Sequence, residues 1–283
     1  MELNNLKSKC AIVVNSCDAY EDVWALFFAA LENHWPECDL EIYLNTESKT
    51  WYSPNSKLNV KSIPLVKDIN IGWGGRLRKL LNNIHYDYII TLFDDFILEE
   101  DVDLETLVNC LKNLESNPDI SAYYFLSIRT GKNISTDEKF EEIGKYNDYK
   151  INSAPAIWRK SDLLAFTGDN DNPWAWEYYG TARTYFKNKK FYCVKPEVSV
   201  MKYDSKMGGA IRRGHWVKDV VIRNCEKLNI DIDYSKRGFV EDIENSGKYT
   251  LGWVFNFILV GFKMVGPISF FMFIRTNLKR FIK

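Results

Sequence analysis

Two adjacent aspartates, Asp94 and Asp95, close a continuous apolar run, Tyr88–Phe93. Neighbouring carboxylates can hold a hard divalent cation, which in turn screens the oxygens of a diphosphate and stabilises it as a leaving group. An acidic turn ahead of a helix is the competing reading. It accounts for Glu99, Glu100, Asp101, Asp103 and Glu105, because acids in and before a first helical turn complement the helix dipole. It accounts poorly for Asp94 and Asp95, which apolar Phe96, Ile97 and Leu98 separate from the other five. A further carboxylate with suggestive neighbours is Glu177, which ends the string Asn172-Pro173-Trp174-Ala175-Trp176-Glu177. Beside aromatic rings such a group can serve as general base toward a sugar hydroxyl, with Trp174 and Trp176 stacking on sugar faces. The alternative is a helix-start glutamate with a capping role.

The string Lys206-Met207-Gly208-Gly209-Ala210-Ile211-Arg212-Arg213-Gly214-His215-Trp216 joins glycines, which permit close backbone approach, to cations suited to phosphate. It is expected to be a loop that closes over a diphosphate through Arg212 and Arg213. Asn15, Ser16 and Asp18 stand just past another apolar run, where either a ligand or the N-cap of a following helix could engage them. The segment 72–75, Gly-Trp-Gly-Gly, lacks the spacing of a dinucleotide fingerprint or a P-loop and is expected to be a turn, with Arg76 facing phosphate from the helix after it. His34 and His85 have no ligand pattern around them.

These residues need elements to position them. Cys10–Asn15 reads as a strand, and Val23, Phe27 and Leu31 then recur at helical spacing. Strand alternation follows over 40–45, and further strands are expected over 60–65, 88–93 and 121–128. Helices are marked by Leu77, Leu80, Leu81 and Ile84, and by Leu104, Leu107, Val108, Leu111 and Leu114. The uninterrupted apolar run before Asp94 predicts a strand buried on both faces, as in a mostly parallel sheet, and ligands of such sheets bind beyond the carboxyl ends of the strands. After about residue 131 clusters of Trp, Tyr, Asn and Gly separate short apolar runs such as 191–194 and 198–201, a composition suited to shaping a pocket.

The chain has 283 residues, enough for one large domain with an appendage. Its 37 basic and 38 acidic residues leave a net charge of −1, which disfavours general nucleic-acid binding. Six cysteines without a CxxC pair read as buried thiols in a reducing compartment. The apolar run 11–14 is too short for a secretory signal, so none is expected. The stretch 251–274 has Lys263 as its only charge, and Arg275, Lys279, Arg280 and Lys283 follow it. As one helix it would extend about 36 Å, more than the roughly 30 Å of a hydrocarbon core. Gly266-Pro267 would kink it. Two short interfacial segments therefore fit better than a clean span, and a hairpin packed on the domain or on a second subunit is the alternative.

In the order strand with Asp18 after it, strand ending Phe93-Asp94-Asp95, and Asn172-Pro-Trp-Ala-Trp-Glu177, the region 10–216 resembles GT-A-type glycosyltransferases, in particular bacterial enzymes of capsule and O-antigen synthesis. The resemblance implies an α/β fold: a Rossmann-like, mostly parallel central sheet flanked by helices, with an apolar helical tail. It implies a catalytic domain over 1–245, with a nucleotide-binding half 1–130 and an acceptor half 131–245, and a membrane-associating tail over 246–283. Asp95 would be the direct ligand of Mn²⁺ or Mg²⁺, Asp94 its partner toward ribose or metal-bound water, and His215 a further ligand. Asn15, Asp18, Arg76, Asp94, Arg212 and Arg213 would receive a nucleotide-sugar donor, with a UDP-sugar expected. Glu177, as catalytic base, with Trp174 and Trp176 would face a lipid-linked oligosaccharide acceptor at the cytoplasmic face of the cell membrane, held there peripherally or by the tail. The first acidic position of the family's signature is replaced by Phe93. Inverting transfer is expected. The alternatives are a sugar nucleotidyltransferase, which needs a glycine-rich basic loop where this chain has Asn15-Ser-Cys-Asp-Ala-Tyr20, and a non-catalytic carbohydrate-binding protein at the membrane.

Overall fold

The computed structural model describes residues 2–62, 71–240 and 251–281. In chain order the elements are α1 (Glu2–Lys9), β1 (Cys10–Asn15), α2 (Glu21–His34), β2 (Glu41–Asn45), β3 (Asn59–Ser62), α3 (Trp73–Asn83), β4 (Tyr88–Phe93), α4 (Leu104–Ser116) and β5 (Ile120–Tyr124). There follow β6 (Ile134–Ser135), β7 (Phe140–Glu142), β8 (Ala156–Arg159), α5 (Lys160–Phe166), α6 (Pro173–Gly180), β9 (Lys190–Val194), β10 (Ile211–Arg212), β11 (His215–Trp216), α7 (Lys218–Leu228) and α8 (Leu251–Phe281).

A single sheet takes the order β3-β2-β1-β4-β8-β5-β9-β7-β6. β1 pairs in parallel with β2 and β4, β2 with β3, and β5 with β9, whereas β8 lies antiparallel between β4 and β5. All described strands of this sheet except β8 and β7 therefore point the same way, as the mostly parallel expectation requires. Alternation along β1 shows why its sequence is apolar throughout. Ile12 and Val14 enter a core with Phe27, Leu111 and Val221 from α2, α4 and α7, while Ala11 and Val13 enter another with Leu77, Leu163 and Trp176 from α3, α5 and α6. Helices cover both faces, so neither face of the strand meets water.

Several boundaries differ from the sequence reading. The strand expected over 121–128 stops at Tyr124, because the Phe125 amide turns to Pro155 O. β3 ends at Ser62, and the rest of the expected strand 60–65 lies outside the described residues. The apolar run 198–201 is not a strand: Val200 and Met201 are buried, Ser199 is exposed, and Val200 O accepts from the Asp103 amide. The charged N-terminal residues form α1, seated through Leu6. All six cysteines are free thiols, and all but Cys17 are buried.

The tail corrects the single-helix length. By composition 252–277 qualifies as a membrane span, with a mean hydropathy of 2.0. However, α8 is broken at Gly266, whose φ of 74° and ψ of 166° are not helical and which Pro267 follows. The Tyr178 ring lies 5.6 Å from Phe257 and 5.4 Å from Phe273. Those two phenylalanines would be about 24 Å apart along a straight helix, so the two arms fold back on each other. Phe262 meets Phe270 edge-on across the bend at 5.5 Å. The hairpin alternative thus describes the inner side of the tail, where Phe270 and Phe273 bury against Tyr179, Ala182 and Tyr185. Gly261 is required there, since a Cβ would meet the Tyr179 ring at 2.4 Å. Arg183 closes the junction, paired with Asp171 and donating to Met264 O at 3.1 Å.

Candidate active site

The carboxyl ends of β1, β2 and β4 meet at one place, as parallel pairing dictates. β4 leaves the sheet through a tight turn in which the Phe96 amide donates to Phe93 O, and Asp94 and Asp95 are its two central residues. Asp94 is 3% exposed. Its Oδ2 accepts from Ser16 Oγ and, at 3.1 Å, from Trp24 Nε1, which also donates to Ser16 Oγ at 2.7 Å. Burial nevertheless lifts the Asp94 carboxyl to about 7, because the two donors offset only part of the desolvation. Asp94 is therefore both a tie between β4 and β1 and a group ready to gain from a nearby positive charge.

Asp95 is half-buried, and among the described residues no other side chain donates a hydrogen bond or forms an ion pair to its carboxylate. Burial, then the charge of Asp94, and more weakly that of Glu177, raise its proton affinity well above that of an ordinary aspartate, while Arg237 opposes the shift. Tyr20 and Tyr203 also face the pair. Burial and the two aspartates push the Tyr20 hydroxyl up to about 12, and burial followed by Asp95 raises that of Tyr203. An unpartnered carboxylate beside a second one, both held at an electrostatic cost, suits a hard divalent cation. Such an ion accepts one or two protein carboxylates and completes its shell with water and phosphate oxygens. Among the described residues no group of three or more His, Cys, Asp or Glu side chains converges on a metal position. His215 thus does not join the pair as a third ligand; its Nδ1 is hydrogen-bonded to Arg237 O.

Glu177 is brought to the same site from the far half of the chain. Asn172 caps α6 by accepting from the Ala175 amide at 2.9 Å, so the capping role considered for Glu177 is already filled. Glu177 Oε1 accepts from the Ser153 amide at 2.8 Å and from Ser153 Oγ. Burial raises its carboxyl above the usual range in spite of both donors. The two tryptophans of the motif part company. Trp174 is 73% exposed. Trp176 is a core residue, contrary to its expected place on a sugar: its ring packs against Trp73 and Trp158, and Nε1 donates to Phe166 O at 3.0 Å.

On the other flank, the loops after β1 and β2 clasp each other. Asp18 does not cap a helix; its carboxylate accepts from the Ser48 and Lys49 amides and from Ser48 Oγ, while Glu47 accepts from the Asp18 amide at 2.6 Å. Ser16 likewise caps nothing, its hydroxyl being turned to Asp94. Burial works against the Asp18 charge, but the donors from Ser48 and Lys49 outweigh it and hold the carboxyl below its usual range. Arg76 is nearly buried, pairs with Glu47 at 2.7 Å and reaches Ser16 O at 3.4 Å. Asn15 accepts from Asn45 at 3.3 Å across the strand ends. The segment expected as a turn, 72–75, is instead the cap and first turn of α3: a Cβ on Gly74 would lie 2.1 Å from Gly168 O.

The glycine-rich string lies over the pair. The Ala210 amide donates to Asp95 O at 2.8 Å, and a Cβ on Gly209 would come within 2.8 Å of that oxygen and 3.1 Å of Asp95 Oδ2. β10 and β11 form a hairpin whose tip, Arg213 and Gly214, has positive φ at both residues. Arg212 and Arg213 are exposed there, with no ion pair among the described residues. Sequence reasoning missed Arg237, which fastens the hairpin down. Its guanidinium pairs with Asp22 at 2.6 and 2.8 Å, donates to Ala19 O and Gly214 O, and lies 4.4 Å from the Tyr20 ring centre. No local motif marks this arginine; only the folded chain brings it beside Asp22. Ser153 and Tyr203 were equally without a signal.

Of the five acids after Asp95, Asp103 caps α4 through the Thr106 amide and Glu105 lies in its first turn, as the dipole reading expects, whereas Glu99, Glu100 and Asp101 pair with Arg223, Lys202 and His34.

No family model and no curated protein sequence matches the chain. Among solved structures it is similar to S. aureus TarS, at 12% identity and a TM-score of 0.50, covering 92% of this chain and 50% of that one. TarS 1-349 matches at 13% identity and a TM-score of 0.49 over 91% of this chain and 81% of that one. The same fragment in complex with UDP-GlcNAc matches at 12% identity and a TM-score of 0.45, over 80% and 68%. At this identity the likeness is one of fold. The chain has a GT-A-like α/β fold, with a mostly parallel sheet, helices on both faces and an apolar C-terminal helix.

Proposed function

We propose that this chain is a metal-assisted, inverting glycosyltransferase that moves a sugar from a nucleotide-sugar donor to a lipid-linked glycan in cell-surface polysaccharide synthesis. The observation that carries the reading is the Asp95 carboxylate: without a side-chain partner among the described residues, next to Asp94, under Gly209 and within the electrostatic reach of Glu177. Mn²⁺ or Mg²⁺ held by Asp95, with Asp94 beside it, would supply positive charge to the departing diphosphate. Asn15, Asp18 and the Arg76–Glu47 pair would line the side of the site that takes base and ribose. Arg212, the last residue of β10, and Arg213, at the tip of the hairpin, would cover the diphosphate. The fold is shared with TarS, a protein crystallised with UDP-GlcNAc, and a UDP-sugar is the donor proposed.

On the acceptor side both Ser153 donors converge on Glu177 Oε1, which leaves Oε2 for a hydroxyl. A carboxyl raised by burial is a stronger base than a solvated one, so it suits proton removal near neutral pH. As the acceptor oxygen bonds to the anomeric carbon, the bond to the diphosphate breaks on the opposite side and Glu177 takes the hydroxyl proton. Trp174, exposed on the same helix, would stack on the acceptor sugar.

Thermal shift with UDP-GlcNAc, with and without Mn²⁺, tests the reading. Ligand at 100 times its Kd adds about 2.7 kcal/mol of stability. Asp95→Asn should remove the metal-dependent part of that gain, and an undiminished metal-dependent shift in the variant would refute the site.

A further inference from the structure

We propose that the folded-back tail is a docking surface for an anionic lipid leaflet, entered from one side only, and that it seats the acceptor edge of the site on the membrane. The arms 251–265 and 267–281 are each about 22 Å long, short of the roughly 30 Å of a hydrocarbon core. With Tyr178 touching both arms, they cannot be laid end to end while the hairpin stays docked. One side of the hairpin is spent on the domain, and the other presents Phe255 (62% exposed), Ile258, Phe262, Ile268 and Phe271 (65%). Trp253, Val254 and Leu259 are exposed as well, so the side turned away from the domain is apolar along both arms, as burial in the apolar part of an interface requires.

Charge selects the occupant. The segment 251–283 contains five basic residues, Lys263, Arg275, Lys279, Arg280 and Lys283, and no acid. A second copy of this chain would set like charge against like. An anionic leaflet attracts each basic residue, and Lys263 beside the bend can lie along the headgroups while its stem stays in apolar contact. The hairpin adjoins α6, since Tyr178 touches both arms, and Trp174 and Tyr178, four residues apart on that helix, are both exposed. Glu177 lies between them in sequence and turns inward to Ser153. The base would then work about one helix diameter from the lipid surface, where the hydroxyl of a lipid-carried acceptor arrives; this last step alone rests on the proposed reaction.

Flotation of the full chain with sealed vesicles tests the surface, using phosphatidylcholine alone or mixed with phosphatidylglycerol. Binding should require phosphatidylglycerol and fall with salt, and a C-terminal tag should remain open to protease added outside. Phe255→Asp and Phe271→Asp should each lower partition about tenfold or more by removing an aromatic ring from lipid. Both sites are exposed, so the Tm should hold. Flotation of both variants undiminished from wild type, a protected tag, or a soluble dimer that Phe255→Asp splits without any vesicle binding would each overturn the proposal. Vesicle binding without sugar transfer would uphold the surface and count only against the reaction.

Discussion

Replacing Gly209 by alanine probes the contact that roofs the aspartate pair. The added methyl would sit 2.8 Å from Asp95 O, a backbone atom that also receives the Ala210 amide, and 3.1 Å from Asp95 Oδ2. Real Cβ contacts are longer, so either the loop lifts or the turn carrying Asp95 shifts. Gly209 also has φ near +130°, where an L side chain is strained. Gly208 supplies the control: its φ is +94°, but a Cβ there meets nothing within 4 Å. Gly208→Ala should therefore show the backbone strain alone, about 1–2 kcal/mol. Gly209→Ala should add an overpacking term of about 1–3 kcal/mol. For a chain of this size each kcal/mol lowers Tm by about 2–4 °C, so the two variants should be separated by several degrees. Melting should be followed with and without UDP-GlcNAc and Mn²⁺. Gly208→Ala should keep the ligand-induced gain and Gly209→Ala should lose much of it, because the displaced carboxylate is the one assigned to the cation. Equal melting of the two variants together with equal ligand response would refute the close approach and, with it, the role given to the loop.

Glu177→Gln should leave the donor-induced gain in Tm intact while abolishing transfer; full turnover in that variant would remove Glu177 from the mechanism. Stability without added metal should fall as pH rises from about 4 to 7. Asp94 is raised to about 7 when folded, so in that window the native state binds more protons than the unfolded one, and the difference is lost as pH passes the folded value. Asp94→Asn should flatten this slope in urea titrations at several pH values, and an unchanged slope would mean that another group sets it. Mn²⁺ should stabilise the wild-type protein more at pH 8 than at pH 5, because the cation competes with protons for the pair; a gain independent of pH would argue against binding there.

Much of the architecture was legible because burial leaves a periodic trace. The unbroken apolar runs at β1 and β4 announced strands covered on both faces, and Asp94-Asp95 stood out because two acids cannot continue such a strand. The largely apolar tail and its Gly-Pro break were equally plain in the sequence, since neither composition nor a proline depends on tertiary context. Periodicity, however, records that a face is covered and not by what. Trp174 and Trp176 share a motif, yet one is solvent-facing and the other is wedged between Trp73 and Trp158, because a helix turns about 100° per residue and only the docked orientation decides which ring goes inward. The antiparallel insertion of β8 between β4 and β5, the clasp of Asp18 on the 48–49 amides, and Arg237 reaching Asp22 across more than two hundred residues all join distant segments. Their energies come from pairing and packing that exist only once the chain has folded, so no local pattern could carry them. By itself the sequence determined which segments are buried and where acids interrupt them; the tertiary structure decided which of those acids stay unpartnered, and so which could do chemistry.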